Sequence, residues 1–197
     1  MPRKAHARSP ASQSPLRKGG KFRCYDVAIA NRQRSVSLDV TNLRRVAEET
    51  LLEEQVARAE ISIALVNDAE IWRVNKQFLN HDYPTDVVSF LMEVEWNAID
   101  AAMSFIAVAK RGVQPRGAGK TLSGEIVIGA AYAAREAAEY GWPTQHEVIL
   151  YLVHGLLHLC GYDDLSPPEK RIMRRREDAI LKRCGLDRPP RRKAKRS

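Results

Sequence analysis

The chain is poor in the features that mark secreted or membrane-borne proteins. Its 197 residues include three cysteines, Cys24, Cys160 and Cys184, an odd number, widely spaced and without a CxxC pair. That pattern argues against a disulfide framework and for a reducing cytoplasm. No apolar run approaches the ~18 residues that a membrane span requires. The longest, Val148 to Cys160, is interrupted by two histidines. The basic N-terminus is not followed by an apolar h-region, so no secretory signal is expected. Internal repeats are also missing.

Acidic residues are scarce at the two ends. Residues 1–23 hold seven Lys/Arg and no acid, and residues 182–197 hold eight Lys/Arg against one acid, Asp187. The ends carry +14 together, whereas the whole chain carries +8, so the 158 residues between them carry −6. The basicity therefore belongs to the ends. Such arms can neutralise phosphates without sequence preference, or act only as solubilising ends. The composition of residues 1–23, rich in Ser, Pro, Gly and basic residues, predicts a disordered arm. We expect a folded domain over 24–185 and a basic tail over 186–197. The 44% hydrophobic and 28% charged content is ordinary for a globular protein.

Between the ends, strand-like and helix-like patterns mix. Tyr25–Ala30 reads as a short strand. Asp39 is a candidate N-cap for a helix from Val40 to about Ala57. Ile61, Ile63 and Leu65 alternate as in a strand. Asn67-Asp68 can cap a second helix through Phe78, and Val87–Met92 is a further strand. The stretch from Trp96 ends in Arg116-Gly-Ala-Gly-Lys-Thr121, which reads as a surface loop. It is not a phosphate-binding P-loop, because Gln114 stands where that motif needs its first glycine. Glu125–Ile128 is a strand, and Ala130–Tyr140 an alanine-rich helix stopped by Gly141. Thr144 with Glu147 three residues on predicts a capping box at the start of a long apolar helix ending at Gly161. Ser166-Pro167 opens a last helix to about Cys184. The fold class is α+β: a small mixed sheet covered by helices, with a zincin-like metal-site helix.

The chemistry concentrates in His154-Gly-Leu-Leu-His158-Leu-Cys-Gly161-Tyr-Asp163-Asp164. Two histidines four apart share one helical face, so both imidazoles can meet one ion. Gly161 ends the helix and lets the chain reverse, which returns Asp163 or Asp164 toward the same point. Isolated His pairs at this spacing are often structural. Here, an almost wholly apolar helix leaves two imidazoles in need of polar partners. Two imidazoles and a carboxylate suit one zinc ion and leave a position for water, whose pKa zinc lowers toward ~7. Gly155 occupies the place of the general-base Glu in the zinc-protease motif HExxH, which argues against peptide hydrolysis by that route.

This segment resembles the signature HGxLHLxGYDH of the YbeY endoribonuclease family of rRNA maturation factors, and differs only at its last position. Asn75 to Phe90, with Pro84-Thr85-Asp86-Val87-Val88-Ser89-Phe90, resembles that family's LN…PT(D/N)VLSF block. Gly124-Glu125-Ile126-Val127-Ile128 resembles its GDIVI strand. The order and spacing agree over roughly residues 25–185. The resemblance implies zinc held by His154, His158 and Asp164, which then act in catalysis through the metal's water. It implies single-strand-specific endoribonuclease activity at the 3′ end of small-subunit rRNA, in the cytoplasm and away from membranes. A ribosomal protein and an assembly GTPase are implied partners. Thr85, Asp86 and Ser89 are candidate substrate contacts, and a turn-and-cap role is the plainer alternative for the first two.

Three departures stand out. Asp164 replaces a His and Glu125 replaces an Asp. Leu79 falls where the family carries an Arg facing phosphate; Arg73, Lys76, His81 or a tail residue could stand in. Arg174-Arg175-Arg176 is either a solvated face or a phosphate-guiding surface. Two other functions compete with the ribonuclease: a zinc peptidase, and a non-enzymatic ribosome-assembly factor in which zinc staples the fold.

Overall fold

The computed structural model describes residues 24–96 and 115–189. The arm expected at 1–23, residues 190–197 of the tail expected at 186–197, and most of the stretch after Trp96 lie outside the described residues. Strands β1 (Cys24–Asn31), β2 (Arg58–Val66), β3 (Val87–Trp96) and β4 (Lys120–Gly129) form one sheet in the order β1-β2-β4-β3. β1, β2 and β4 run parallel, and β3 closes the edge antiparallel to β4, with an irregularity between Leu91 and Glu93. Alternation decides the faces, as a period of two requires. Ile61, Ile63, Leu65, Leu122, Ile126 and Ile128 point into the main core. Ala64, Phe90 and Val127 point to the opposite face.

The helices are α1 (Val40–Glu53), α2 (Asp68–Leu79), α3 (Ala130–Tyr140), α4 (Thr144–Cys160) and α5 (Pro167–Arg183). α1, α4 and α5 contribute to the main core, while α2 packs Ile71 and Val74 on the second face. The α+β class with a mixed sheet is as the sequence predicts. Several caps are too: the side chains of Asp39, Asn67 and Ser166 accept from the backbone N–H groups of Asn42, Glu70 and Glu169.

Three local expectations are corrected. α1 stops at Glu53 rather than near Ala57, because Gln55 takes the left-handed conformation and Val56 N–H turns back to the Leu51 carbonyl. Thr144 makes no capping box: Pro143 is the N-cap residue and offers no side-chain bond. Glu147 instead accepts from Trp142 Nε1 at 2.6 Å. The Gly-rich stretch is not a free surface loop. Lys120 and Thr121 begin β4, and Gly117 lies so close to the turn after α1 that a Cβ there would sit 2.7 Å from Val56 Cγ2.

α4 is the central element. Leu152, Leu156 and Leu157 are fully buried, and each such side chain contributes roughly 1.5–3 kcal/mol relative to exposure. Glycine sets how near α4 comes to the sheet. A Cβ on Gly155 would stand 3.1 Å from Ile126 Cγ2, and one on Gly124 would stand 2.9 Å from Leu159 Cδ1. This close seating fixes the height of α4's polar face above the sheet.

Candidate active site

On that face, His154 and His158 bring their rings edge to face, with centroids 4.6 Å apart. Their Nε2 atoms approach to 3.0 Å. Each Nδ1 is committed elsewhere. His154 Nδ1 donates to Glu177 Oε1 on α5 at 2.6 Å, and His158 Nδ1 donates to the Tyr162 carbonyl at 3.0 Å. A carbonyl and a carboxylate accept only, so both Nδ1 atoms carry hydrogen in these contacts. The Nε2 lone pairs of two neutral rings then converge, which is repulsive unless a proton or a metal cation stands between them. Two soft nitrogen donors aimed at one point, each oriented from behind, match the donor set and outer support of a zinc site.

The chain after α4 supplies the oxygen. Gly161 adopts φ +101° at the C′ position, and Tyr162 N–H bonds back to the Leu157 carbonyl at 3.0 Å. Asp163 spends its carboxylate locally, accepting from the backbone N–H of Asp164 at 2.7 Å and of Leu165 at 3.2 Å. Asp164 is left to face the imidazoles, with Oδ1 3.9 Å from His158 Nε2. Among the described residues no three His, Cys, Asp or Glu side chains are already closed at metal-binding separation. The imidazole pair is formed, and the Asp164 carboxylate stands one step outside it.

Charge at the site is sharply divided. Glu177 is held down to about 2: burial pushes it up, but hydrogen bonds from His154 and Arg188 and their charges outweigh burial. Burial pushes His154 down, yet the hydrogen bond and charge of Glu177, with Asp86 and Asp164, leave it raised. His158 is lowered by burial and by the neighbouring His154. The first ring is thereby suited to the extra proton when no cation is present, and the second is kept neutral.

Residues beyond the motif hold the turn in place. Arg116 donates to the Gly161 carbonyl at 3.1 Å, pairs with Glu169 at 2.8 Å and lies over the Tyr162 ring. Lys120 Nζ donates to the Cys160 carbonyl at 2.8 Å. Glu54, fully buried, accepts from Arg116 N, from Tyr162 OH and from Arg176. Cys160 packs as a buried thiol in the core.

A cavity of about 270 Å³ opens beside the imidazoles, lined by His154, Asp164 and Glu177. Asp86, Glu136 and Glu147 add acid to the lining; Lys170, Arg174 and Arg188 bring positive charge. Burial raises Glu147 above the usual carboxylate range. Of the expected substrate contacts, only Asp86 lines this cavity. Its Oδ1 also accepts from Thr85 Oγ1 and Val87 N–H, a turn-and-cap arrangement. Ser89 sits within β3 opposite Ile126 and does not line the cavity. Arg73, Lys76, Leu79 and His81 do not line it either. Lys76 is paired with Asp82, and His81 stacks on Tyr83.

The sequence did not single out Glu177 or Arg188. A carboxylate on the inward stripe of α5, four residues after Met173, was the available signal. The run Arg174-Arg175-Arg176 divides three ways: Arg174 lines the cavity, Arg175 is exposed, and Arg176 reaches back to Glu54. The expected tail begins on the body of the protein. Leu186 packs against the core, Arg188 pairs with Glu177 and Asp178, and Pro189 lines the cavity.

A mixed sheet backed by a helix with two converging imidazoles, a nearby carboxylate and an open cavity defines an α+β protein with a polar centre whose residues could hold a cation. The model of the family described as Endoribonuclease YbeY matches residues 28–185. The chain is 36% identical over 168 residues to "Endoribonuclease YbeY" of Pelotomaculum thermopropionicum, covering 82% of this chain and 99% of that one. It is 37% identical over 166 residues to the protein of the same name from Geobacter metallireducens, covering 81% and 98%. The solution structure of TM1509 from Thermotoga maritima aligns with a TM-score of 0.47 at 19% identity, over 84% of this chain and 99% of that one. This chain belongs to the Endoribonuclease YbeY family.

Proposed function

We propose that this protein is a zinc-dependent, single-strand-specific endoribonuclease that matures the 3′ end of small-subunit rRNA. As a member of its family it is a nuclease, a hydrolase of RNA phosphodiester bonds. The observation that carries the zinc reading is the approach of His154 Nε2 and His158 Nε2 to 3.0 Å, with both Nδ1 atoms held by acceptors. His154, His158 and Asp164 would hold the ion. When bound, zinc supplies a Lewis acid and makes a water acidic enough to ionise near neutral pH.

The protein's own groups do the rest. Glu177 keeps the proton of His154 on Nδ1, so that Nε2 stays free to bind. The Tyr162 carbonyl does the same for His158. The cavity gives a single strand access to this centre. A base-paired strand, with both backbones fixed in a helix, has less freedom to enter. Work inside the small ribosomal subunit, beside a ribosomal protein and an assembly GTPase, completes the proposal. A cytoplasmic location agrees with three free cysteines. No helix among the described residues is long and apolar enough to cross a membrane.

Gly155 weakens the peptidase alternative on geometry. A side chain there would run into Ile126 and Val87 of the sheet rather than stand beside the imidazoles. One experiment separates the readings: metal-loaded protein is incubated with single-stranded RNA and with casein, beside a His154→Ala control of verified fold. RNA cleavage that the control loses supports the nuclease, and casein cleavage the peptidase. RNA binding without cleavage supports an assembly factor in which zinc only staples the fold.

A further inference from the structure

Leu79, at the end of α2, carries no charge, and no residue of α2 lines the cavity. Positive charge reaches the cavity from a different element. Lys170 and Arg174 stand one turn apart on α5, and with Glu177 they make the i, i+4, i+7 stripe facing the cavity. Lys170 Nζ is 3.9 Å from Asp164 Oδ2, so it stands beside the candidate metal carboxylate. Arg174 is half-buried, and among the described residues it makes no hydrogen bond or ion pair. The other half-buried arginines nearby, Arg116, Arg176 and Arg188, are all paired with acids. A guanidinium held in a cavity wall without an acid partner is poised to receive an anion, and its planar fork suits phosphate.

We propose that Lys170 and Arg174 form a phosphate-binding subsite on α5 that holds the RNA backbone beside His154 and Asp164, doing the work for which Leu79 is unsuited. The inference rests on the ribonuclease reading for the identity of its ligand. Asp86, Glu136 and Glu147, which also line the cavity but come from outside α5, repel phosphate. The backbone is therefore drawn to the α5 side of the opening. Lys170 is shared with Asp164, so Arg174 is the more available donor.

The test compares Arg174→Gln, Lys170→Gln and Arg174→Lys with Arg175→Gln, which removes an exposed charge one residue away. Binding of a fluorescent single-stranded RNA is followed by anisotropy across a salt series, and cleavage is assayed separately for KM and kcat. Arg174→Gln is expected to weaken binding roughly tenfold and to flatten the log–log salt dependence by about 0.7, one phosphate contact on a single strand. Arg174→Lys should recover part of the loss, and Arg175→Gln should change affinity less than about twofold. Thermal midpoints should be unchanged, since Arg174 holds no partner among the described residues. Equal effects of Arg174→Gln and Arg175→Gln, or none, overturn the subsite. If the wild type binds RNA and shows the Arg174 dependence but does not cleave, the subsite stands and the ribonuclease reading falls. If it cleaves without that dependence, the reverse holds.

Discussion

Replacing Glu54 with alanine should destabilise the protein more than any surface change and should loosen the candidate site from behind. Glu54 is fully buried at the end of α1 and accepts from Arg176, from Arg116 N at 3.0 Å and from Tyr162 OH at 3.4 Å. The Arg176 side chain is only 12% exposed, so in the variant its charge has little water to turn to. Breaking one partner of a buried pair costs about 3–5 kcal/mol. At about 2–4 °C per kcal/mol for a domain of this size, the thermal midpoint should fall by roughly 6–20 °C. Replacing both members, Glu54→Leu with Arg176→Met, removes the stranded charge and should cost less than Glu54→Ala. Recovery should be incomplete, because Arg116 N loses an acceptor and the Glu53 carbonyl loses the Arg176 donor. Urea unfolding of Glu54→Leu, Arg176→Met and the double gives the coupling energy directly. A Glu54→Ala cost below about 1 kcal/mol, or additivity within ~0.5 kcal/mol, would refute the reasoning.

Glu177→Gln should lower zinc affinity roughly 10–100-fold in a chelator competition, because the His154 Nδ1 partner loses its charge; an unchanged affinity would count against the site. In metal-free protein, the depressed Glu177 carboxyl contributes stability above its ordinary value of 4.5 and loses it as pH falls toward about 2. Acid titration should therefore be flatter for Glu177→Gln in that window, and parallel curves would contradict the contact. Asp164→Ala should weaken metal binding more than Asp163→Ala, whose main effect is the loss of ~1 kcal/mol from the turn. The opposite ranking in metal titrations would move the third ligand to Asp163. Gly155→Glu should lower stability by at least the ~1–3 kcal/mol of core overpacking and create no caseinolytic activity; a stable variant that cleaves casein would revive the peptidase alternative.

Much of this was legible in the sequence wherever the determinant is local. Asp39, Asn67 and Ser166 cap their helices because the bond spans three residues. His154 and His158 meet because four residues make about one helical turn. What escaped depends on chain that is distant in sequence. Thr144 and Glu147 have capping-box spacing, but the cavity claims Glu147, paired with Trp142. The length of β3 past Met92 is set by pairing with β4, out to Trp96 opposite Lys120. Glu177 meets His154 from 23 positions away, and Arg176 meets Glu54 from 122. No window of a helix's own residues contains those partners. The three adjacent arginines show the limit well. Composition makes them alike, and only the ~100° turn per residue of α5 sends one to the cavity, one to water and one to the buried acid.

The anchoring of Arg188 and Pro189 has a practical side. Eight residues follow Pro189, and fully stretched they reach ~28 Å. A polyhistidine handle fused after Ser197 would thus begin within range of the paired rings and could donate imidazoles of its own. Metal stoichiometry measured on such a preparation would report the handle as well as the protein. Handles cut away before the titration keep the count clean.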